Sequence, residues 1–301
     1  MPYIPLFILK SFLRRVKKRG DVSNPQRARR GFEKLIGKWN KPLSGFTYTH
    51  EIADGVEGEW IFPQGCDKTK VLLYFHGGGY FVGSYVTHRA LVSQIAKNAG
   101  IAAFSINYRL APEHPYPAAI EDCAKVYQWL LRDKNFKPSQ ISFGGDSAGG
   151  GCVVGTLTYL RDNGVDLPKC AIALSPWLDH TFSGHSFPSR DEVDPMLIAD
   201  GFPTVRDYYM QGADPKAPYA SPIFYSLKGL PPVMVQVGDH ELLLSDSTRF
   251  EEKAKADGVT VQLEVYPDMF HVFNAFWRIV PKAREANKKL GDFLKLQLTA
   301  V

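Results

Sequence analysis

The stretch Ile141–Cys152, ISFGGDSAGGGC, restricts this chain more than any other. A short apolar run ends in glycines, one serine stands between two further glycines, and a small-residue, then apolar, segment follows. That order describes a strand, a sharp turn and a helix, with Ser147 at the tip. Gly145-Asp146-Ser147-Ala148-Gly149 fits G-x-S-x-G. Its glycines are needed because a serine on a strained strand-to-helix turn leaves no room for neighbouring Cβ atoms. Ser147 then stands at a helix N-terminus, where outward N–H groups favour developing negative charge. The motif is short, so the rest of the chain has to supply a base, an acid and donors for an oxyanion.

The 301 residues, 45% apolar and 22% charged, describe an ordinary globular protein, either one large α/β domain or two smaller ones. The net charge of +5 is unevenly placed. Residues 1–41 carry 12 Lys and Arg against Asp21 and Glu33, which leaves the remainder mildly acidic. A basic arm on an acidic body is not a general nucleic-acid-binding surface, and no nucleic-acid partner is expected. Cys66, Cys123, Cys152 and Cys170 show neither paired nor metal-type spacing, which favours a reducing, cytoplasmic setting. Near the N-terminus, PYIPLFILKSFLRRVKKRG places its basic residues after a short apolar run. A secretory signal has the reverse order, and the run is too short to span a bilayer. Leu6, Leu9, Phe12 or Leu13, and Val16 recur at helical spacing. The amphipathic helix they imply is expected to pack on the protein itself in preference to a lipid surface.

Asn24-Pro25 reads as a helix start, and Ala28, Phe32, Leu35 and Trp39 keep one face of the next helix apolar. Thr47–Ile52 and Gly58–Phe62 alternate as two strands joined at Asp54-Gly55, a hairpin signal. Apolar strands are then expected at Val71–Phe75, Ile101–Asn107, Ile141–Gly144, Cys170–Leu174, Pro232–Val237 and Val261–Tyr266. Helices are expected at His88–Asn98, Ala118–Arg132, after Ser147, at Ser245–Asp257 and at Val280–Leu298. This alternation predicts a mostly parallel sheet covered by helices. It breaks at His180–Tyr225, rich in Pro, Asp, Ser and aromatics. That segment is too long for a crossover loop and reads as an insertion with short helical pieces near Leu197–Ala199 and Thr204–Gln211.

In such sheets ligands meet the loops at the carboxyl ends of the strands. His76-Gly77-Gly78-Gly79-Tyr80 follows a strand, and its glycines expose backbone N–H groups. A phosphate nest would need G-K-[ST], which is absent. An oxyanion hole is the better use, completed by the N–H of the residue after the nucleophile, here Ala148. A serine needs an adjacent base. Of eight histidines, His50, His76, His88 and His114 precede the serine, with His76 expected to orient the glycine loop. His180 and His185 fall in the insertion, and His240 abuts a candidate acid. His271 alone lies in a loop past the last strand, in the order Ser, acid, His. The acid should follow Pro232–Val237. Asp239 and Glu241 both qualify, with Asp179 and Asp194 as weaker candidates. Neither H-E-x-x-H nor H-x-H nor a cysteine pair occurs, so no metal is expected.

Taken together, His76–Tyr80 (HGGGY), Tyr108–Ala119 (YRLAPEHPYPAA), Gly145–Gly150 (GDSAGG), Ser175–Asp179 (SPWLD), Pro218–Pro222 (PYASP), Gly238–Leu244 (GDHELLL) and the late His271 resemble the hormone-sensitive-lipase-like branch of the α/β-hydrolase esterases over residues 46–301. The resemblance implies an α/β-hydrolase fold with a mostly parallel eight-stranded sheet, flanking helices and a helical cap. The catalytic core would be residues 46–179 and 226–301, and the cap residues 1–45 and 180–225. It implies Ser147 as nucleophile, His271 as base, and Gly78, Gly79 and Ala148 as oxyanion donors. Many members carry Asp-Pro-Leu around the acid where this chain has Glu-Leu-Leu. Aligning the leucines favours Glu241 over Asp239.

The expected function is a serine carboxylesterase. It would hydrolyse short- to medium-chain acyl esters through an acyl-enzyme on Ser147, with a small-molecule ester as substrate and no cofactor. Trp177, Phe202, Tyr208, Tyr209 and Phe81 are candidates for an apolar pocket. Rival readings are an amidase or a lactone or carbamate hydrolase on the same residues, an interfacial lipase using Leu6–Val16, and a receptor of this fold without catalysis. Oligomeric state, a homodimer included, stays open.

Overall fold

The computed structural model describes residues 4–17, 22–37 and 40–300. Two helices come first, α1 (Leu6–Lys17) and α2 (Pro25–Ile36). Asn24 Oδ1 accepts the Arg27 N–H at 2.9 Å and Pro25 opens the first turn, so α2 begins on its sequence signals. Ala28 and Phe32 pack against the core, whereas Trp39 lies outside the described residues.

β1 (Phe46–Ala53) and β2 (Val56–Pro63) pair antiparallel across Asp54 and Gly55. These two have φ of 50° and 86°, as a tight two-residue hairpin requires. Then follow β3 (Asp67–Phe75), α3 (Tyr85–Ala99), β4 (Ile101–Ile106), α4 (Ala118–Arg132), β5 (Ile141–Asp146), α5 (Ala148–Asp162) and β6 (Cys170–Leu174). The insertion holds α6 (Ser186–Ser189) and α7 (Phe202–Met210). After it come β7 (Val233–Gly238), α8 (Leu244–Ala256), β8 (Val261–Tyr266) and α9 (Pro281–Thr299). Two differences from expectation have simple causes. β3 starts at Asp67 because Asp67 pairs with Ile101 ahead of a register irregularity, although Asp67–Lys70 are polar. α6 is four residues long, too short for helical periodicity to register.

The eight strands form one sheet in the order β1-β2-β4-β3-β5-β6-β7-β8, parallel from β4 onward in that order. Alternate residues of β3 enter opposite layers. Val71, Leu73 and Phe75 pack with residues of α4, α5 and α8, while Leu72 and Tyr74 pack with α3 and α9. Because β3, β5, β6, β7 and β8 run parallel, their following loops gather along one edge of the sheet.

One buried acid in α8 holds the residues that lead into the insertion. Asp246 Oδ2 accepts the Leu178 and Asp179 N–H groups at 2.7 and 3.0 Å. Burial, with Asp179 nearby, pushes its carboxyl up to about 8, although the two N–H donors act in the opposite direction. An acid whose pKa rises on folding contributes stability that is fully present below its ordinary value of 3.8 and is lost as pH rises to about 8. Asp246→Asn retains an accepting oxygen without the charge. Its melting temperature should exceed the parent's by roughly 2 °C or more near pH 8, and the gap should shrink toward pH 4. A gap that does not change with pH would contradict this account.

Candidate active site

Ser147 follows β5 directly and precedes α5. Its φ of 54° and ψ of −121° are conformations that L-residues avoid, at a cost of about 1–3 kcal/mol. The surrounding backbone holds it there. Its N–H donates to Leu174 O at 2.8 Å, and its carbonyl accepts from Gly151 N at 3.1 Å and Trp177 N at 3.0 Å. The flanking glycines are required by close approach. A Cβ on Gly145 would stand 2.3 Å from Gly149 O, and one on Gly149 would stand 2.0 Å from Phe75 O. The serine turn is thereby packed against the end of β3, where the glycine loop begins.

His271, in the loop after β8, is buried, and its Nδ1 lies 3.0 Å from Glu241 Oε2. Glu241, in the loop after β7, is fully buried. Its Oε1 accepts from Ser175 Oγ at 2.8 Å and from the Gly238 N–H. Asp239 points elsewhere: its Oδ1 accepts the Asp268 N–H at 2.7 Å. Burial raises the Glu241 pKa above its ordinary value, with His271 opposing. Burial pulls His271 down, but the hydrogen bond and charge of Glu241, with Asp194 and Asp146 adding, leave its pKa raised. A carboxylate at Nδ1 makes that nitrogen the donor and leaves Nε2 as the basic one. Among the described residues no hydrogen bond joins Ser147 Oγ to the imidazole; such contacts tighten in the substrate complex.

Two further residues support this pair in roles the sequence did not indicate, although Ser175 lies in the SPWLD motif and Asp194 was a weaker candidate for the acid. Ser175, at the end of β6, donates to Glu241 and accepts the Val272 N–H at 3.1 Å, so one hydroxyl bridges the acid and histidine loops. Ser175 and Val272 both have φ of 46°. With Ser147, three non-glycine residues in left-handed backbone meet at the site, the clustering of strain expected where geometry is functional. Asp194, from the insertion, is buried and accepts N–H groups of Met196, Leu197 and Leu242 at 2.8, 3.0 and 3.0 Å. It fastens the insertion to the residue after Glu241.

The glycine loop is anchored from behind. Asp146 accepts from Tyr74 Oη at 2.8 Å and Gly77 N at 3.2 Å, and His88 Nε2 lies 3.3 Å away. Burial alone would raise Asp146; His88 and Tyr74 outweigh it and hold the carboxyl low. His76 is buried, stacks on Tyr108 at 4.3 Å and holds Gly77 O with Nδ1 at 2.8 Å. Burial drives its pKa down to about 3, so it stays neutral. Gly78 adopts φ of 119°, and a Cβ there would stand 2.2 Å from Val82 O. The amides of Gly78, Gly79 and Ala148 donate to no backbone carbonyl among the described residues.

Residues 72–275 match the family described as alpha/beta hydrolase fold. This chain belongs to that family. The solved structure of an esterase from the bacterial hormone-sensitive lipase family superposes on this α/β-hydrolase with a TM-score of 0.93 at 39% identity, covering 99% of this chain and 100% of the other. That likeness places it in the same bacterial branch. The EstE5 esterase, solved after soaking with p-nitrophenyl butyrate, gives a TM-score of 0.92 at 43% identity, covering 98% and 99%. An acetyl-hydrolase of Streptomyces hygroscopicus is 39% identical over 237 residues, 79% of each chain.

Most aromatics considered for a pocket are packed in this α/β-hydrolase. Tyr209 is fully buried and stacks on Tyr80 at 3.7 Å, and Trp177 stacks on His180 at 4.3 Å. Phe81 is also buried and lies beside Tyr208, whereas Phe202 and Tyr208 are half-buried. Val205 of α7 approaches the glycine loop: a Cβ on Gly79 would stand 2.8 Å from Val205 Cγ1. The basic arm reaches the same loop. Arg29 donates to Phe81 O at 2.7 Å and Ala111 O at 2.6 Å, and Ser84 Oγ donates to Glu33 at 2.6 Å. Arm and insertion also touch each other, through Tyr208 Oη to Val22 O at 2.9 Å and Lys17 Nζ to Asp191 Oδ1 at 3.2 Å. No helix among the described residues is long and apolar enough to cross a membrane.

Proposed function

We propose that this chain is a carboxylic ester hydrolase that acts through a covalent acyl-enzyme on Ser147, on esters with short to medium acyl chains. The observation that carries the reading is the buried Glu241–His271 hydrogen bond of 3.0 Å, held along the same sheet edge as the strained Ser147 turn. Ser147 Oγ attacks the ester carbonyl while His271 Nε2 takes its proton. Glu241 orients the ring through Nδ1–H and stabilises the imidazolium. The Gly78, Gly79 and Ala148 amides receive the oxyanion, each such donor contributing about 2.7–4 kcal/mol. The imidazolium then protonates the leaving alkoxide. Water, deprotonated by the same Nε2, attacks the acyl carbonyl and releases the acid with Ser147 restored. The chain-length reading draws support from the solved relative soaked with a butyrate ester. Residues 1–45 and 180–225 are proposed to act as one cap over the acyl site, through the arm and insertion contacts at the glycine loop.

A p-nitrophenyl ester series of increasing acyl length tests the substrate class. Activity should peak between acetate and the medium chains and fall for long ones. No turnover on any member would overturn the esterase reading.

Ser175 is proposed as a positioning residue. Ser175→Ala removes the hydroxyl that aligns Glu241 Oε1. It should lower kcat about tenfold with KM within about twofold, since the carboxylate is the group misplaced. An unchanged kcat would mean that the Gly238 N–H suffices to hold Glu241.

A further inference from the structure

The helix α1 has two apolar faces, and only one of them is used within the fold. Leu9 and Leu13 are buried against Met269, Phe270 and Phe273, the segment that carries His271. On the opposite side Phe7, Ile8 and Phe12 are 73%, 48% and 55% exposed. A surface helix normally turns a polar stripe outward. Here three large apolar side chains stand outward, and Arg14 and Arg15 are exposed beside them at the helix's C-terminal end. Of the eight large apolar side chains exposed among the described residues, these three and Leu35 of α2 fall in the arm, so the exposure is concentrated there.

The charged side chains of α1 itself have one sign, with Arg14 and Arg15 exposed; the acids near the helix, Asp191 at Lys17 and Asp239 and Asp268 by Lys10, belong to the body. Farther along the arm Arg27, Arg30, Lys34 and Lys41 are exposed, while the arm's described acid, Glu33, is only partly exposed and accepts from Ser84 Oγ. An apolar row flanked by cations is the composition of a helix that lies in a bilayer interface, with its rings at the acyl boundary and its cations among anionic headgroups. A second copy of this chain is a poorer occupant, because a two-fold contact through the same face would bring the same cations together.

We propose that the outer face of α1 docks the protein reversibly on anionic lipid surfaces, with Phe7, Ile8 and Phe12 entering the interface and Arg14 and Arg15 pairing with headgroups. α1 is held to the body by Leu9 and Leu13 and by Lys10 Nζ, 3.0 Å from His240 Nδ1. Docking therefore needs no release of the helix from the His271 loop. This binding is independent of the chemistry assigned to Ser147.

The test is co-sedimentation of the full chain with vesicles of phosphatidylglycerol and phosphatidylcholine, beside vesicles of phosphatidylcholine alone, at low and high salt. The parent should partition onto the anionic vesicles and be released by salt. Phe7→Ser/Ile8→Ser/Phe12→Ser should reduce that partitioning about tenfold or more, and Arg14→Glu/Arg15→Glu should reduce it similarly. Thermal melting identifies any variant that misfolds, and since all five side chains are exposed the melting temperatures should stay close to the parent's. A parent that does not sediment with anionic vesicles would overturn the proposal. So would a triple variant that binds as well as the parent. A parent dimer that the triple variant converts to monomer, with no vesicle binding by either, would assign the face to a second copy instead.

Discussion

Ser147→Ala should lower kcat on a nitrophenyl ester by at least about 10⁴-fold, with the fold intact. Alanine supplies the same backbone amide, and the contacts that hold position 147 are backbone ones: Leu174 O, Gly151 N and Trp177 N. The change therefore removes Oγ and little else. Residual hydrolysis above the rate in water should persist, because the Gly78, Gly79 and Ala148 amides can still receive an oxyanion from direct attack by water. A melting curve close to the parent's separates loss of chemistry from loss of fold. A variant retaining a tenth or more of the parent's turnover would remove Ser147 from the mechanism.

The second large effect separates two neighbouring acids. Glu241→Gln should lower kcat by about 10³–10⁴-fold, because a neutral amide neither fixes the Nδ1–H tautomer nor stabilises the imidazolium. Asp239→Asn should leave kcat within about threefold, since Asp239 accepts a loop amide at Asp268 and does not touch His271. The pH dependence adds a sign. In the proposed mechanism His271 acts as a base when neutral, so kcat/KM should rise with pH through its pKa. Burial lowers that pKa, and Glu241, with Asp194 and Asp146 adding, leaves it raised, Glu241 being the largest of the raising causes. The residual activity of Glu241→Gln should therefore have its acidic limb at lower pH than the parent, with Asp239→Asn unshifted. A limb that moves in the Asp239 variant alone would reverse the assignment.

The strands, the covering helices and the position of the insertion were legible in the sequence because apolar runs, capping residues and glycines are local signals. The same holds for the turn at Ser147. The place of His271 in a loop past the last strand was legible through chain order. The Asp239 and Glu241 ambiguity was not resolvable from the residues alone, since both follow β7 within three residues of its end. Side-chain direction is what supports Glu241 in the proposed mechanism: it is fully buried with two donors on Oε1 and meets His271, whereas Asp239 accepts a loop amide. Ser175 and Asp194 were harder still. Their partners lie 66 and 48 positions away, and neither periodicity nor turn chemistry reports on such a contact. His88 precedes the serine and so falls outside the order Ser, acid, His, yet it stands behind Asp146, the residue next to Ser147. The aromatics illustrate the opposite error. Trp177 and Tyr209 follow or lie within the right segments, but the insertion uses them to pack itself onto the body.

The most direct test of the account is the site of covalent modification by an organophosphate that mimics the tetrahedral intermediate. Incubation followed by peptide mass spectrometry should place one adduct on the peptide containing Ser147, with esterase activity lost in proportion to labelling and no adduct on Ser147→Ala. Full esterase turnover with Ser147 unmodified, or inactivation with the adduct on another residue, would contradict the central claim that Ser147 carries the acyl group.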